Sequence, residues 1–366
     1  MMSGKVVFFT GAGGFIGRYI LKHYIAEPDC ELLLLERGMF LARLQEWLDK
    51  DVADTGRRER IRLLDGDITQ PNLGLDEAIS KDVQARMTRA IHLAAIYDLS
   101  TPRDIAMRVN VDGTRNVLDF LENAPNLERF AYMSTVAVSG TYRGLFKEED
   151  LDLGQGFKNH YDETKFLAEK LVRERRDKIP TLILRPTIVV GHSKTGEFEK
   201  IDGPYFALQM IWRNMHLVVN DTGATKCHIA PVDFVADAFY ALAEDPASVG
   251  GTFCLGDPNP MGYREFIDAV CEKWGKLKPI LRLPSGMVGL MFKIPYFEKI
   301  VGATYDSFKY SYLPVEYDTS NATRLLGKHG ISCPPVSAYL DAMLKYFAEH
   351  HADAGMRRQP WQDAVR

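Results

Sequence analysis

The 366-residue chain has the composition of a globular protein, with 46% apolar and 26% charged residues. Its formal net charge of −4 gives no reason to expect a nucleic acid as a partner. No apolar run approaches the roughly 18 residues that a membrane-spanning helix needs, and no leader peptide is apparent before the first strand. We therefore expect a soluble, cytoplasmic protein.

Cysteine spacing bears on redox chemistry and on metal binding. The five cysteines lie far apart, with no C-x-x-C pair and no histidine nearby at metal-binding spacing. We therefore predict separate reduced thiols and no metal site. These residues are Cys30, Cys227, Cys254, Cys271 and Cys333.

A glycine-rich turn follows the first predicted strand, Val6–Phe9, and precedes a helical segment that starts at Arg18. Strand, glycine turn and helix in this order form a phosphate site, because glycines allow close backbone approach and the helix presents free N–H groups. The glycines are spaced G-x-x-G-x-x-G rather than G-x-G-x-x-G, and we still predict a dinucleotide site. The predicted cofactor contacts in this turn are Gly11, Gly13, Gly14, Phe15, Ile16 and Gly17.

Strands and helices alternate from this turn as far as residue 186. The predicted strands cover residues 31–35, 60–67, 90–95, 130–135 and 181–185, and the predicted helices cover 40–50, 105–121 and 161–175. Such alternation predicts an α/β fold with a doubly wound parallel sheet, covered by helices on both faces.

The pattern changes after residue 186. A strand at His228–Asp233 and a helix from about Phe234 are predicted to return to the main sheet, so the cofactor-binding domain comprises residues 1–190 and 227–257. We predict that the remaining segments, 191–226 and 258–354, form a smaller, mostly helical cap that binds the substrate beside the strand ends. Methionine and aromatic side chains within 283–292 can line an apolar acyl site or simply fill the cap core. We predict that residues 355–366 form a polar, frayed tail.

A tyrosine and a lysine stand four residues apart in the segment Tyr161-Asp-Glu-Thr-Lys165. On a helix they share one face, and a nearby ammonium would lower the pKa of the phenol from its ordinary value of about 10. The preceding strand ends in Ser134-Thr135, whose hydroxyls can hold a substrate oxygen against the tyrosine. This arrangement suits general acid–base chemistry.

These motifs together resemble the extended short-chain dehydrogenase/reductase family, which has a Rossmann fold. The matching segments are Thr10–Gly17, Asp67-Ile68, His92–Ala95, Asn110–Thr114, Ser134-Thr135, Tyr161–Lys165 and Arg185-Pro186. The resemblance implies that Tyr161 is the proton donor or acceptor, that Lys165 binds the nicotinamide ribose, and that Thr135 orients the carbonyl. Asn110 is implied as a structural or relay residue. The resemblance also implies that Asp67 and Ile68 contact the adenine. Further implied cofactor contacts are Leu93, Ala94, Ala95, Pro186, Thr187 and Ile188.

Within that family the chain looks most like the thioester-reductase branch, which includes fatty acyl-CoA reductases. The implied reaction reduces an acyl thioester, presented by CoA or by a carrier protein, to an aldehyde or an alcohol. A ketone or alcohol oxidoreductase of the hydroxysteroid or dihydroflavonol type is the first alternative, and a nucleotide-sugar epimerase or dehydratase is the next. The substrate is expected to be an apolar acyl or carbonyl compound, and the protein a monomer or homodimer.

The end of the second strand bears on the choice between the two nicotinamide cofactors. An acidic residue there holds the ribose 2′-OH of NAD, whereas an arginine accommodates the 2′-phosphate of NADP. This chain has both, as Glu36 and Arg37. The arginine matches the thioester-reductase branch, and we expect NADP, with NAD as the alternative.

Overall fold

The computed structural model describes residues 4–52, 55–216, 218–219, 225–282, 285–291, 293–294 and 314–357. Its centre is a seven-stranded, entirely parallel sheet with the order β3-β2-β1-β4-β5-β7-β11. The strands of this sheet are β1 (Lys5–Thr10), β2 (Cys30–Glu36), β3 (Ile61–Asp65), β4 (Arg89–His92), β5 (Arg129–Met133), β7 (Thr181–Pro186) and β11 (Thr252–Leu255). The predicted doubly wound α/β fold is confirmed.

Helices cover both faces of the sheet. The described helices are α1 (Phe15–Ala26), α2 (Gly38–Asp51), α3 (Thr55–Arg58), α4 (Glu77–Arg86), α5 (Arg103–Ala106), α6 (Gly113–Leu121), α7 (His160–Glu174), α8 (Pro204–Trp212), α9 (Val232–Glu244), α10 (Tyr263–Lys273), α11 (Ser285–Met291), α12 (Ser320–Lys328) and α13 (Val336–His350). One hydrophobic core joins the sheet to α1, α2, α9 and α12, and another joins its opposite face to α4, α6 and α7.

A third hydrophobic core lies outside the sheet and joins α8, α10 and α13. Three parallel two-stranded pairs also lie outside the main sheet. They are β6 (Gly144–Phe146) with β13 (Val315–Tyr317), β8 (Ile188–Val190) with β10 (Ile229–Pro231), and β9 (Val218–Val219) with β12 (Leu281–Arg282).

The structure corrects three expectations about the second half of the chain. Strand β10 does not return to the main sheet, because it pairs with β8 instead; the strand that returns is β11. Helix α12, which we placed in the cap, packs Leu325 and Leu326 into a core of the main sheet. The predicted tail begins too early, since Met356 is buried and its carbonyl accepts the N–H of Ile201. Residues 358–366, and residues 283, 284 and 292 of the methionine- and aromatic-rich segment, lie outside the described residues.

The helix predicted over residues 105–121 contains an irregular segment. Residues Met107–Asp112 form a π-helical stretch between α5 and α6. Such wide turns are frequent at functional sites, because they re-aim a side chain from the helix into its surroundings. Here the segment carries Asn110, which is 1% exposed.

Candidate active site

The glycine turn follows β1 at the carboxyl edge of the sheet, next to β4, where the strand order reverses and doubly wound sheets bind dinucleotides. Gly11 has a φ of +83°, and a Cβ placed there would lie 2.5 Å from the backbone nitrogen of Ala94. A Cβ on Gly17 would lie 2.2 Å from the carbonyl oxygen of Gly11. Gly14 precedes α1 without a capping side chain, so N–H groups in the first turn of α1 remain available to a diphosphate. The turn therefore fits the predicted dinucleotide.

The two residues at the end of β2 have different partners. The Glu36 carboxylate accepts the N–H of Gly13 at 2.8 Å, and burial raises its pKa to about 7 while that hydrogen bond opposes the shift. The Arg37 guanidinium lies 2.7 Å from the Asp67 carboxylate, which also accepts both polar hydrogens of Thr69. Partial burial disfavours ionisation of Asp67, but these donors hold its pKa below the usual range. Glu36 thus faces the glycine turn, and Arg37 faces the predicted adenine contact.

A buried histidine joins β1 and β4 beneath the glycine turn. His92 lies 2.7 Å from the Thr10 hydroxyl through Nδ1 and 3.2 Å from the Thr114 hydroxyl through Nε2. Burial, with a smaller contribution from the Lys165 ammonium, lowers the pKa of His92 to about 3. The imidazole is therefore neutral and structural at physiological pH.

Tyr161 lies in the first turn of α7, half-buried, with its phenol directed to the Thr135 hydroxyl after β5. Burial raises the pKa of Tyr161 well above its ordinary value, although the hydrogen bond with Thr135 acts in the opposite direction. The expectation that Lys165 lowers this pKa is not met in the structure. At neutral pH the phenol keeps its proton, as a proton donor in a reduction must.

Lys165 is buried on the same helix, but its ammonium points to the sheet. It donates to the Tyr132 hydroxyl at 3.0 Å and to the Met133 carbonyl at 2.8 Å. Burial lowers the pKa of Lys165 to about 7, and the Glu169 carboxylate opposes this shift. The pair Tyr161 and Lys165 therefore shares a helix face without the direct contact that the spacing suggested.

The two adjacent hydroxyls after β5 are not equivalent. The Ser134 hydroxyl donates to the buried Glu169 carboxylate at 2.6 Å, whereas the Thr135 hydroxyl accepts the N–H of Ala137 and faces Tyr161. The same Glu169 carboxylate is held by Arg185 at 2.6 Å. Thr135 is thus the hydroxyl placed to reach a substrate, and Ser134 belongs to a buried ionic cluster.

Asn110 links the loop after β4 to α7. Its side-chain oxygen accepts the N–H of Ile96 at 2.8 Å, and its amide group donates to the Ile96 carbonyl at 3.2 Å and to the Thr164 hydroxyl at 3.0 Å. These bonds occupy both ends of the amide, which favours the structural role over the relay role.

The remaining predicted cofactor contacts all lie at the carboxyl edge of the sheet. Leu93, Ala94 and Ala95 directly follow β4, and Ile68 follows β3. Pro186 ends β7, Thr187 is buried against the Leu255 carbonyl at 3.0 Å through its N–H, and Ile188 begins β8. Because parallel strands end at one edge, the fold brings these residues and the catalytic candidates to one side of the sheet.

Three further residues adjoin the site and were missed in the sequence. Tyr132 contacts the Lys165 ammonium, Glu169 lies one helical turn beyond Lys165, and Tyr97 packs edge-on against Tyr161 with ring centres 4.9 Å apart. The four-residue spacing from Lys165 could have indicated Glu169. The position after the strand-end segment His92–Ala95 could have indicated Tyr97. Tyr132 carries no signal that separates it from other strand residues.

Comparison with known proteins relates this arrangement to a family. The family model described as Male sterility protein matches residues 9–239. The glycine betaine reductase ATRR of Emericella nidulans is 25% identical over 283 residues, which cover 73% of this chain and 22% of that protein. The fatty acyl-CoA reductase wat of Drosophila melanogaster is 27% identical over 282 residues, which cover 66% of this chain and 54% of that protein. The chain thus spans about half or less of these relatives.

Solved structures show the same fold. The terminal R domain from the myxalamid PKS-NRPS biosynthetic pathway superposes with a TM-score of 0.82 at 25% identity, covering 97% of this chain and 93% of that chain. A thiolation-reductase di-domain from an archaeal non-ribosomal peptide synthetase superposes with a TM-score of 0.72 at 21% identity, covering 95% and 91%. No described helix is long and apolar enough to cross a membrane.

Proposed function

Because the chain belongs to the male sterility protein family of extended short-chain dehydrogenases/reductases, and is therefore an NAD(P)-dependent oxidoreductase, we propose that it reduces acyl thioesters. The thioester is carried by CoA or by a carrier protein, and the first product is an aldehyde. Relatives named as fatty acyl-CoA and glycine betaine reductases, and the R domain of a PKS-NRPS pathway, support this proposal.

The observation that carries the proposal is the pairing of the protonated Tyr161 phenol with the neighbouring Thr135 hydroxyl. Tyr161 keeps its proton because burial raises its pKa, and Thr135 faces the same position. Two such donors stabilise the negative charge that develops on a carbonyl oxygen as its carbon is reduced. The tyrosine then gives its proton to that oxygen.

The proposed cofactor site comprises predicted contacts that lie at one edge of the sheet. The glycine turn would hold the diphosphate, Asp67 and Ile68 the adenine, and Lys165 the nicotinamide ribose. When bound, the reduced nicotinamide supplies a hydride to the thioester carbon. The chain's own residues hold the carbonyl oxygen, protonate it, and leave the carbon–sulfur bond of the resulting hemithioacetal free to break, which releases the thiol and the aldehyde.

The proposed partner is a thioester carrier, either CoA or a carrier protein. The structural relative that joins a thiolation domain to a reductase supports this arrangement for a carrier-bound substrate. Free CoA thioesters remain the simplest substrates to test, since they carry the same pantetheine arm.

The test follows oxidation of NADPH and of NADH at 340 nm with a fatty acyl-CoA, the matching aldehyde, a steroid ketone and a UDP-sugar. We expect turnover with the thioester, and a fall in kcat of about 10²- to 10⁴-fold for Tyr161→Phe. Tyr142→Phe is the matched control, because Tyr142 packs on Phe146 in a separate apolar cluster and should keep wild-type activity. Turnover of the ketone alone would refute the thioester proposal.

A further inference from the structure

A short loop of the cap connects the glycine turn with the surroundings of the proposed catalytic tyrosine. Glu199 in this loop forms an ion pair with Arg18, whose guanidinium also donates to the Gly13 carbonyl at 2.7 Å. The next residue, Lys200, places its ammonium 5.5 Å from the centre of the Tyr97 ring. The ion pair therefore links the residue before Lys200 to the first turn of α1, next to the cofactor-binding turn.

The Tyr97 ring connects this lysine to the site of reaction. It packs edge-on against Tyr161, with ring centres 4.9 Å apart, and 41% of the Tyr97 surface remains exposed. Lys200 is thus separated from Tyr161 by one aromatic ring that solvent, and hence a substrate, can reach.

The charge of Lys200 is not neutralised by a close contact within the described part of the chain, where no carboxylate lies at ion-pair distance from its ammonium. The Lys200 ammonium interacts electrostatically with Asp202. Burial raises the pKa of Asp202 to about 6, and the Lys200 ammonium opposes that shift. A half-buried ammonium with no carboxylate in direct contact can bind an anionic group of a ligand as a point charge.

We infer that Lys200 binds an anionic group of the thioester substrate, which makes an acyl chain that ends in a carboxylate the preferred substrate class. This inference rests on the proposed thioester reduction. The anion has two possible sources, a carboxylate on the acyl chain and the phosphate of the pantetheine arm. Only one aromatic ring separates Lys200 from Tyr161, so the bound anion lies close to the thioester carbon, as a carboxylate on the acyl chain does. The phosphate lies farther away, because the whole pantetheine arm separates it from that carbon. The expected substrate is therefore more polar than the apolar acyl compound that the sequence suggested.

Binding to the NADP⁺-loaded protein tests the inference without turnover. Isothermal titration compares pentanedioyl-CoA, which carries a free carboxylate, with pentanoyl-CoA, which has the same chain length and none. We expect pentanedioyl-CoA to bind about fivefold more tightly, the ratio for a solvent-accessible ion pair. Lys200→Met should remove this preference, whereas Lys194→Met, an exposed lysine eight residues after Pro186, should keep it.

The same comparison with N-acetylcysteamine thioesters, which lack the phosphate, separates the two sources of the anion. A preference for the carboxylate that persists in these thioesters and disappears in Lys200→Met supports the acyl assignment. An equal loss of affinity for both CoA thioesters in Lys200→Met, absent with the cysteamine thioesters, would overturn it in favour of the phosphate. Equal affinities throughout would overturn any anion-binding role. A protein that reduces pentanoyl-CoA but shows no preference contradicts only this inference, and one that binds without reducing any thioester contradicts only the proposed function.

Discussion

The adjacent hydroxyls of Ser134 and Thr135 allow activity and stability to be separated by single substitutions. Ser134 donates to the buried Glu169 carboxylate at 2.6 Å, and Thr135 faces the Tyr161 phenol. Removing the first hydroxyl takes a donor from a buried charge, while removing the second takes a donor from the carbonyl oxygen in the proposed reaction. We therefore expect Ser134→Ala to affect folding and Thr135→Ala to affect catalysis.

The magnitudes follow from the number of partners that remain. Glu169 keeps Arg185 and Arg173 as donors in Ser134→Ala, so the loss is that of one hydrogen bond to a charged group, about 2 kcal/mol. In Thr135→Ala one donor to the developing oxyanion is lost, which lowers kcat by about 10²- to 10³-fold. The N–H of Ala137 also loses its acceptor, at a cost of about 1 kcal/mol.

Urea unfolding and steady-state kinetics on the same preparations measure both effects. Ser134→Ala should keep kcat within about threefold of wild type, a change of less than 1 kcal/mol in the barrier, and Thr135→Ser should retain activity because it keeps the hydroxyl. If Ser134→Ala, folded and binding cofactor normally, lost as much kcat as Thr135→Ala, the assignment of the two hydroxyls would be wrong.

Three further predictions concern the cofactor site and the buried histidine. Gly17→Ala should abolish the rise in Tm that NADP⁺ produces, since its Cβ would lie 2.2 Å from the Gly11 carbonyl oxygen, whereas Gly327→Ala, with open space around it, should keep that rise; an unchanged rise in Gly17→Ala would contradict the tight-turn argument. Glu36→Gln should increase the ratio of NADPH to NADH affinity, measured by cofactor fluorescence, because a neutral amide can replace a carboxylate that would repel a 2′-phosphate; an unchanged ratio would remove Glu36 from cofactor selection. His92 has a folded-state pKa of about 3, so only the unfolded chain binds a proton at this residue between pH 6.5 and 3, and stability falls as the pH drops through that range. From pH 7 to pH 5 the free energy of unfolding, measured with urea, should fall by about 2 kcal/mol more for wild type than for His92→Gln. Equal decreases would contradict the neutral-imidazole assignment.

Much of the fold could be predicted because local patterns determine it. The structure contains the predicted strand, glycine turn and helix at residues 5–26. It also contains the alternating strands and helices that follow, with small shifts of their bounds. The positions of the site residues also follow, since every parallel strand ends at the same edge. Strand β10 could not be assigned in this way, because a short apolar run does not specify which neighbour it pairs with.

Partners of side chains depend on tertiary contacts that spacing does not contain. Helical spacing places Tyr161 and Lys165 on one face, but the Tyr132 hydroxyl and the Met133 carbonyl, contributed by β5, bind the ammonium. Burial then governs both groups, raising the pKa of the phenol and lowering that of the ammonium. The same holds for Glu36 and Arg37, which are adjacent in sequence and turn to different partners.

The contacts of Glu36 and Arg37 bear on the choice between NADP and NAD. The competing effects are attraction of a 2′-phosphate to Arg37 and its repulsion by Glu36, and the structure ties each side chain to a neighbour that limits its movement. Asp67 holds the Arg37 guanidinium at the predicted adenine contact, and five N–H donors allow that guanidinium to keep Asp67 while it binds a phosphate. Glu36 is tied to Gly13 by a single hydrogen bond and has a pKa near neutrality, so its repulsion weakens as it takes up a proton. The arginine can therefore act without leaving its partner, and the selectivity for NADP depends on how strongly the carboxylate opposes it.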